Sequence, residues 1–420
     1  MRPKHRTGAR LMPERRTGRR RALAALAAAV FSFALLQPPP AQALPLDNVP
    51  EVGVDTGRFK LPINCKIILG GVLPIFNLGS DVDVQGVAPV QLGPGQEFWL
   101  TQGSGNITIP SWLTFLAPLL GITKADARVT DLSIGASNST PASINIAKEP
   151  VEIKDIAFEP GQPLKVGLPL KAGETFDVGP YTAPGSGSVT FKFDHAVAEI
   201  TLKSDWGFTL PITADCTASQ GNALLTVAVG GPAGQPPAKI HGAPLNFPEP
   251  ASNEVVGIIN APYTCTLGGQ PVDVGIAVGG HFPLSIKKGT NFSFTNASGA
   301  LTIPAKTVNK LLDMGYTTAA GKVTKLELLT EGGTPASMNV AANGIDIPTT
   351  PLERDKKIVL SLPTNGTLTA GPFGAAPGST RIAVALGSAA ASFTFNGSTS
   401  ASATCGTPAP LVYLVDTPVI

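Results

Sequence analysis

The chain has 420 residues, of which 43% are hydrophobic, 14% charged and 6% aromatic, and its formal net charge is +2 at pH 7. This apolar content excludes a disordered chain. The 46 Gly and 40 Pro residues follow no triplet period, which excludes a collagen-like chain, and their number argues against a mostly helical protein. The length suggests two or three domains.

Residues 1–43 have the pattern of a secretory signal peptide. Nine Lys or Arg residues lie in residues 1–21, the apolar run Ala22–Leu36 follows, and Ala41–Ala43 forms an A-x-A cleavage site. The apolar run is short for a membrane span, so a signal anchor that stays uncleaved is the weaker alternative. Cleavage after Ala43 leaves 22 basic and 28 acidic residues, a net charge of −6. We therefore expect an exported protein without a later transmembrane segment, and no nucleic-acid partner.

An internal repeat predicts two copies of one domain. Gly95–Ala147 aligns without a gap on Gly289–Ala341 at a constant offset of 194, and 20 of these 53 positions are identical. The segment 230–252 between the copies contains six Pro residues, which favour an extended linker. The predicted organisation is a signal peptide at 1–43, a first domain at 44–229, a linker at 230–252 and a second domain at 253–420.

The four cysteines fit the repeat. Cys65 opens the first copy and Cys216 closes it, while Cys265 opens the second copy and Cys405 closes it. The repeat therefore favours one disulfide per domain, Cys65–Cys216 and Cys265–Cys405, and export makes their oxidation plausible. A Cys216–Cys265 bridge across the linker is the alternative pairing. A metal site is disfavoured because the chain has no C-x-x-C pair and no His at ligand spacing from a Cys.

The periodicity of the chain predicts an all-β protein. Ser80–Leu92, Ala196–Ser204 and Lys357–Leu362 alternate apolar and polar residues, which is the period of a half-buried strand. Turn residues recur about every ten positions, which leaves room for roughly seven to nine strands per copy. We predict two tandem immunoglobulin-like β-sandwich domains, each with one short helix, joined by the Pro-rich linker.

The two predicted helices differ in surface character. The second-copy helix, Ala305–Met314, follows Pro304 and ends before Gly315. The first copy places Trp112, Leu116 and Leu119 where the second has a Lys, a Lys and an Asp, so a solvated stripe becomes apolar. A contact with the other domain or the linker is one interpretation. The other is a contact with a partner or a lipid, because exposed apolar patches usually mark interaction sites.

No sequence motif indicates catalysis. The chain has no G-x-S-x-G elbow, no H-E-x-x-H, no Walker A motif and no dinucleotide fingerprint. His195 and His281 do not occupy equivalent repeat positions, so a hydrolytic arrangement would need tertiary contacts that sequence does not reveal. We expect no enzyme activity, no cofactor and no metal.

Several segments resemble a known family. Tyr263–Val278 resembles the opening of a domain found in exported actinobacterial proteins of unknown function, and Ile63–Gly71 does so less closely. Ile212–Val227 resembles the end of such domains. The resemblance covers most of residues 60–410 and implies export, β structure and paired flanking cysteines. It supplies no catalytic residue.

These observations predict a non-catalytic secreted or cell-envelope protein that serves as an interaction or structural module. The alternative is a carrier of an apolar ligand, such as an envelope lipid, held between the sheets or beside the Trp112 helix. An unrecognised hydrolase is the third possibility. An envelope lipid or another envelope protein is the expected kind of partner.

Overall fold

The computed structural model describes residues 46, 49–170, 173–219, 223–231 and 247–420. The predicted signal peptide and residues 232–246 of the predicted linker lie outside these ranges. The described residues all belong to one compact unit, residues 42–420.

Strands make up most of the first half. In chain order, its described elements are β1 (Val54–Leu69), β2 (Leu73–Pro89), β3 (Gln91–Leu92), β4 (Glu97–Ile109), helix α1 (Ser111–Leu119), β5 (Ile122–Ser137), β6 (Ser143–Asn145), β7 (Val151–Ala157), β8 (Leu164–Leu168), β9 (Phe176–Thr182), β10 (Gly187–Ser204), β11 (Thr209–Ala218) and β12 (Ala223–Val229).

The second half repeats this order. Its described elements are β13 (Glu254–Leu267), β14 (Gln270–Pro283), β15 (Asn291–Ile303), helix α2 (Ala305–Asp313), β16 (Thr318–Glu331), β17 (Gly333–Thr334), β18 (Ser337–Asn339), β19 (Ile345–Pro351), β20 (Ile358–Leu362), β21 (Leu368–Ala375), β22 (Arg381–Phe395), β23 (Thr399–Cys405) and β24 (Tyr413–Pro418). Each half has more strands than the turn intervals predicted, because strands of two or three residues lie between the long ones.

Eight strands of the first half form one curled antiparallel sheet, in the order β8, β4, β2, β1, β11, β10, β5, β7. β8 and β7 are the two ends of this pairing order, and no hydrogen-bonded pairing joins them within the described residues. Side chains alternate between the two faces of a strand. In β1 the alternate residues from Phe59 to Ile67 are buried, and they point into the curl.

The second half has the same pairing order, β20, β15, β14, β13, β23, β22, β16, β19. The all-β class is therefore confirmed. The pairing does not establish an immunoglobulin-like strand arrangement, which stays a prediction.

The predicted disulfides are confirmed. Cys65 on β1 lies opposite Cys216 on β11 and is bonded to it, and Cys265 on β13 is bonded to Cys405 on β23 in the same way. The alternative bridge between Cys216 and Cys265 is excluded. All four cysteines are buried inside their sheets. Two disulfides indicate an oxidising, non-cytoplasmic environment.

The first strands of the two halves also pair with each other, from Val54 opposite Asn260 to Lys60 opposite Glu254. Beside this junction, Arg58 Nε donates to Asp83 Oδ1 at 2.9 Å, and Arg58 Nη1 donates to the Phe247 carbonyl oxygen at 3.2 Å. Phe247 is buried in a small cluster with residues of β13, β14 and β15. The predicted domain boundaries stay a prediction.

The junction is ionic in the first half and apolar in the second. The strand register of the two halves shows that Arg58 and Ile258 occupy equivalent positions, and that Asp83 and Ala277 do so as well. Ile258 is fully buried and Ala277 is 1% exposed. The same fold therefore accepts either an ion pair or two apolar side chains at these positions.

The two helices lie at equivalent places in the halves. Each begins directly after a proline, Pro110 or Pro304, and α2 ends one residue before the end that the sequence predicted. Proline suits a helix start because its missing N–H is not needed there. Among the described residues, no helix combines the length and apolar character that a membrane crossing requires.

Candidate functional site

The curled sheet of the first half encloses an apolar cavity of about 450 Å³. The inward-facing side chains of β1, β2, β4, β5, β10 and β11 line it, together with one side of α1. Most of these side chains are Ile, Leu, Val, Phe or Ala. No charged side chain lines the cavity within the described residues.

The corresponding cavity of the second half is much smaller, about 120 Å³. At its helix end, Phe393 and Phe395 point inward from β22, and Tyr316 stacks on Phe395 with ring centroids 4.2 Å apart. Strand register places Ile200 and Leu202 of β10 at the positions of the two Phe residues. Two aromatic rings of the second half are therefore replaced by smaller aliphatic side chains in the first.

The larger cavity reaches the protein surface at its helix end. Ile75 and Phe76 of β2 and Leu120 after α1 all line the cavity, yet they are 45%, 41% and 70% exposed. Leu113 and Ala117, from the inner side of α1, line the same region. We call this opening, defined by Ile75, Phe76 and Leu120, the cavity mouth.

The three residues singled out by the sequence lie on the outer side of α1, next to the mouth. Trp112, Leu116 and Leu119 are 50%, 44% and 68% exposed. Much of each side chain is therefore exposed among the described residues, which leave out residues 232–246 of the linker, and both interpretations of these three residues stay predictions. These three residues do not line the cavity.

Two hairpins place further apolar side chains beside α1, and neither was predicted from the sequence. Val72 and Leu73 at the β1–β2 turn are 85% and 58% exposed, and Trp206 and Phe208 at the β10–β11 turn are 82% and 58% exposed. We call the large exposed apolar side chains of residues 72–76, 112–120 and 206–208 the apolar rim.

Backbone contacts hold the three parts of the apolar rim together. The Gly70 amide donates to the Pro211 carbonyl oxygen at 3.1 Å, which links the β1–β2 turn to the start of β11, directly after the second turn. The Asp205 amide donates to the Gly121 carbonyl oxygen at 3.3 Å, which links the second turn to the end of α1. The Trp206 ring lies so close to Gly121 that a Cβ there would sit 3.0 Å from it. The rim is thus one end of the curled sheet.

A comparison of the two halves could have revealed the hairpins from sequence. The first-half turn Leu69–Leu73 reads LGGVL, whereas its second-half equivalent, Leu267–Pro271, reads LGGQP. The turn that contains Trp206 corresponds to Asn396–Ser398, which is polar. The second half therefore keeps the fold without an apolar rim.

The two histidines lie outside the cavity. His195 Nε2 is 2.8 Å from Asp215 Oδ1, and His195 Nδ1 is 3.5 Å from Asp131 Oδ2. Burial acts to lower the pKa of His195, but the hydrogen bonds to Asp215 and Asp131 outweigh it and raise this pKa above its usual value. The Ser133 hydroxyl donates to Asp131 rather than to the histidine. His281 Nδ1 is 3.2 Å from a Glu254 carboxylate oxygen.

Comparison with known proteins adds a partial family match. Residues 262–411 match the model of a family of unknown function, DUF6801. For most of the second half, this match supports a resemblance to a family of unknown function, while the actinobacterial source and the tandem copies stay predictions. No curated protein matches the chain. A solved structure titled "pT26-6p" is similar at 10% sequence identity over 86% of this chain and 66% of its own, with a TM-score of 0.19. That score is too low to support an argument about fold or function.

Proposed function

We propose that this is an exported, non-catalytic protein whose first half binds an apolar ligand, such as a lipid acyl chain, in the cavity. The observation that supports the proposal is the cavity of about 450 Å³, which lacks charged lining residues and has a mouth at the surface. This volume falls in the range of roughly 300–1,000 Å³ that is typical of small-molecule sites. An apolar lining offers water few hydrogen-bond partners, and an apolar ligand is stabilised by burial.

The lining also limits the chemistry of the ligand. A charged group inside the cavity would be buried without an opposite charge, which is costly. A ligand with a charged or polar head must therefore keep that head at the mouth, with its apolar part inside. This favours a single-headed molecule with an apolar tail.

Three observations support export without catalysis. Residues 1–43 have the sequence pattern of a signal peptide, and the two disulfides suit an oxidising compartment. His195 and His281 are absent from the cavity lining, so neither is placed to act on a ligand bound there.

The experiment measures the binding of cis-parinaric acid, a fluorescent fatty acid, to protein that begins at residue 44. The test variant carries Ile200→Phe and Leu202→Phe, the residues that the second half uses to fill its own cavity. We expect the affinity to fall by about tenfold or more, because loss of even a few buried methylenes corresponds to about 1.4 kcal/mol or more. Unchanged affinity in this variant would contradict binding in the first cavity.

The reciprocal variant, Phe393→Ile with Phe395→Leu, is the matched control. It makes the same exchange in the second half and leaves the first cavity untouched, so the affinity of the first site should not change. A second bound probe per chain would show that the enlarged second cavity has become a site as well. Lipid extraction of protein purified from its own host would then identify the natural ligand.

A further inference from the structure

Exposed apolar side chains are concentrated at one end of the first half. Eleven of the fifteen large apolar side chains that are exposed among the described residues belong to the apolar rim. Concentration of this kind marks an interaction site, whereas single exposed apolar residues are ordinary. The fold does not require the rim, because the second half forms the equivalent helix with charged residues on its outer side and has shorter hairpins with polar residues at their tips.

The rim has almost no charge. Residues 69–78 and 111–121 contain no charged residue, and residues 204–211 contain only Asp205. In the second half, α2 alone carries Lys306, Lys310 and Asp313. A partner that binds the rim is therefore recognised by apolar contact rather than by charge.

The shape of the rim favours a lipid surface over a protein. Trp206 and Val72 are more than four-fifths exposed and stand at the tips of separate hairpins. Protruding Trp and aliphatic side chains of this kind insert into the boundary between headgroups and acyl chains. Protein interfaces instead have a packed apolar centre within a polar surround.

The cavity mouth lies within the rim, and this determines which partner is favoured. A tail that leaves the cavity into water loses the free energy of burial for every methylene that it exposes. A tail that leaves the mouth directly into a bilayer stays in apolar surroundings throughout. Ile75 and Phe76 belong to both the mouth and the rim, so the two surfaces are continuous.

We propose that the apolar rim docks onto the surface of a lipid bilayer and places the cavity mouth against it, so that the ligand passes between cavity and membrane. The passage of a ligand between cavity and membrane rests on the proposed function, but the docking itself does not. Since the rim is uncharged, docking should need no anionic lipid and should be insensitive to salt.

Sedimentation with phosphatidylcholine vesicles at low and high salt tests the docking, using protein that begins at residue 44. The test variant carries Trp112→Lys, Leu116→Lys and Leu119→Asp, which are the residues of α2 at the same positions. A second variant carries Val72→Gln and Trp206→Ser. None of these residues lines the cavity. Met314→Lys, an exposed apolar residue of the second half, is the matched control.

The original protein and the Met314→Lys control should bind vesicles at both salt concentrations. Each rim variant should lose about tenfold or more in vesicle affinity, because several inserted apolar side chains are removed. The proposal is wrong if the original protein stays in solution, if the rim variants bind equally well, or if binding disappears at high salt. A stable protein partner in place of vesicle binding would also overturn it.

Binding of cis-parinaric acid without vesicles separates the two proposals. Rim variants should keep this binding within about twofold, since their cavity lining is intact. Vesicle binding without binding of the fatty acid would leave docking in place and reject the apolar-ligand function. Fatty-acid binding without vesicle binding would do the reverse.

Discussion

Exchanging the cavity residues between the two halves should lower the unfolding free energy far more when it is made in the second half than when it is made in the first. Phe395 is 1% exposed, stacks on Tyr316, and has its ring centroid 5.8 Å from that of Phe393. Replacing Phe395 with Leu and Phe393 with Ile removes these ring contacts and enlarges the cavity beside them. Aromatic pairs contribute about 0.5–1.5 kcal/mol beyond burial, and the lost volume adds a cavity cost, so we expect a loss of about 2–4 kcal/mol.

The reverse exchange in the first half, Ile200→Phe with Leu202→Phe, should cost little. Inserting volume into a well-packed core is destabilising by about 1–3 kcal/mol. Here the added rings enter a cavity of about 450 Å³, so overpacking is avoided. We expect an unfolding free energy within about 1 kcal/mol of the original value, with stabilisation favoured because apolar surface is filled.

Denaturant unfolding followed by two signals measures both exchanges. The three Trp residues, Trp99, Trp112 and Trp206, all lie in the first half, so Trp fluorescence reports on that half. Far-ultraviolet circular dichroism reports on both halves, and disagreement between the two signals shows whether the halves unfold separately. A loss of about 2 kcal/mol or more for the first-half exchange would mean that its core is as tightly packed as the second and would refute the cavity argument.

Three further predictions concern the fold and its pH dependence. Asp83→Ala should lower the unfolding free energy by about 3–5 kcal/mol, because it leaves the Arg58 guanidinium partly buried without its main partner. Adding Arg58→Ile gives the first half the same apolar pair as the second half, and in a double-mutant cycle it should recover most of that loss. Cys65→Ser with Cys216→Ser should lower the unfolding free energy by about 2–5 kcal/mol, measured by the denaturant midpoint against a non-reducing control. Because folding raises the pKa of His195, the stabilisation that protonated His195 gives the folded protein is fully present below the unfolded pKa of about 6.5 and is lost as the pH rises through the higher folded pKa. His195→Gln should therefore lower the unfolding free energy more at pH 5.5 than at pH 8.5. An equal effect at the two pH values would contradict this reasoning.

The fold class, the disulfides and the helices could be predicted because each leaves a local or repeated signal. The repeat leaves one cysteine before and one after the aligned segment of each copy, which predicts the pairing, and the proline and glycine around Ala305–Met314 mark the helix ends. The same alignment also gave the contrast in which Trp112 replaces Lys306. These signals need no knowledge of how strands lie beside one another.

The cavity could not be predicted, because its size depends on which strand positions meet inside the curl. Ile200 and Leu202 look like ordinary residues of an alternating strand, and only the pairing register matches them with Phe393 and Phe395. The hairpin tips were missed for another reason. A Gly-rich turn is usually polar, and nothing in the Leu69–Leu73 segment by itself predicts that Val72 stands exposed at a hairpin tip beside a helix.

The larger cavity and the apolar rim occur together in the same half, and this bears on what each is for. The second half shows that the curled sheet forms with an interior filled by Phe393 and Phe395 and with the polar turn Asn396–Ser398. Neither feature of the first half is therefore a requirement of folding, and each carries a cost: an open cavity loses packing contacts, and an exposed apolar rim favours aggregation. Two costly features that meet at one opening are better explained by a shared use than by independent change. Apolar-ligand exchange at a membrane needs both features, whereas a purely structural module needs neither.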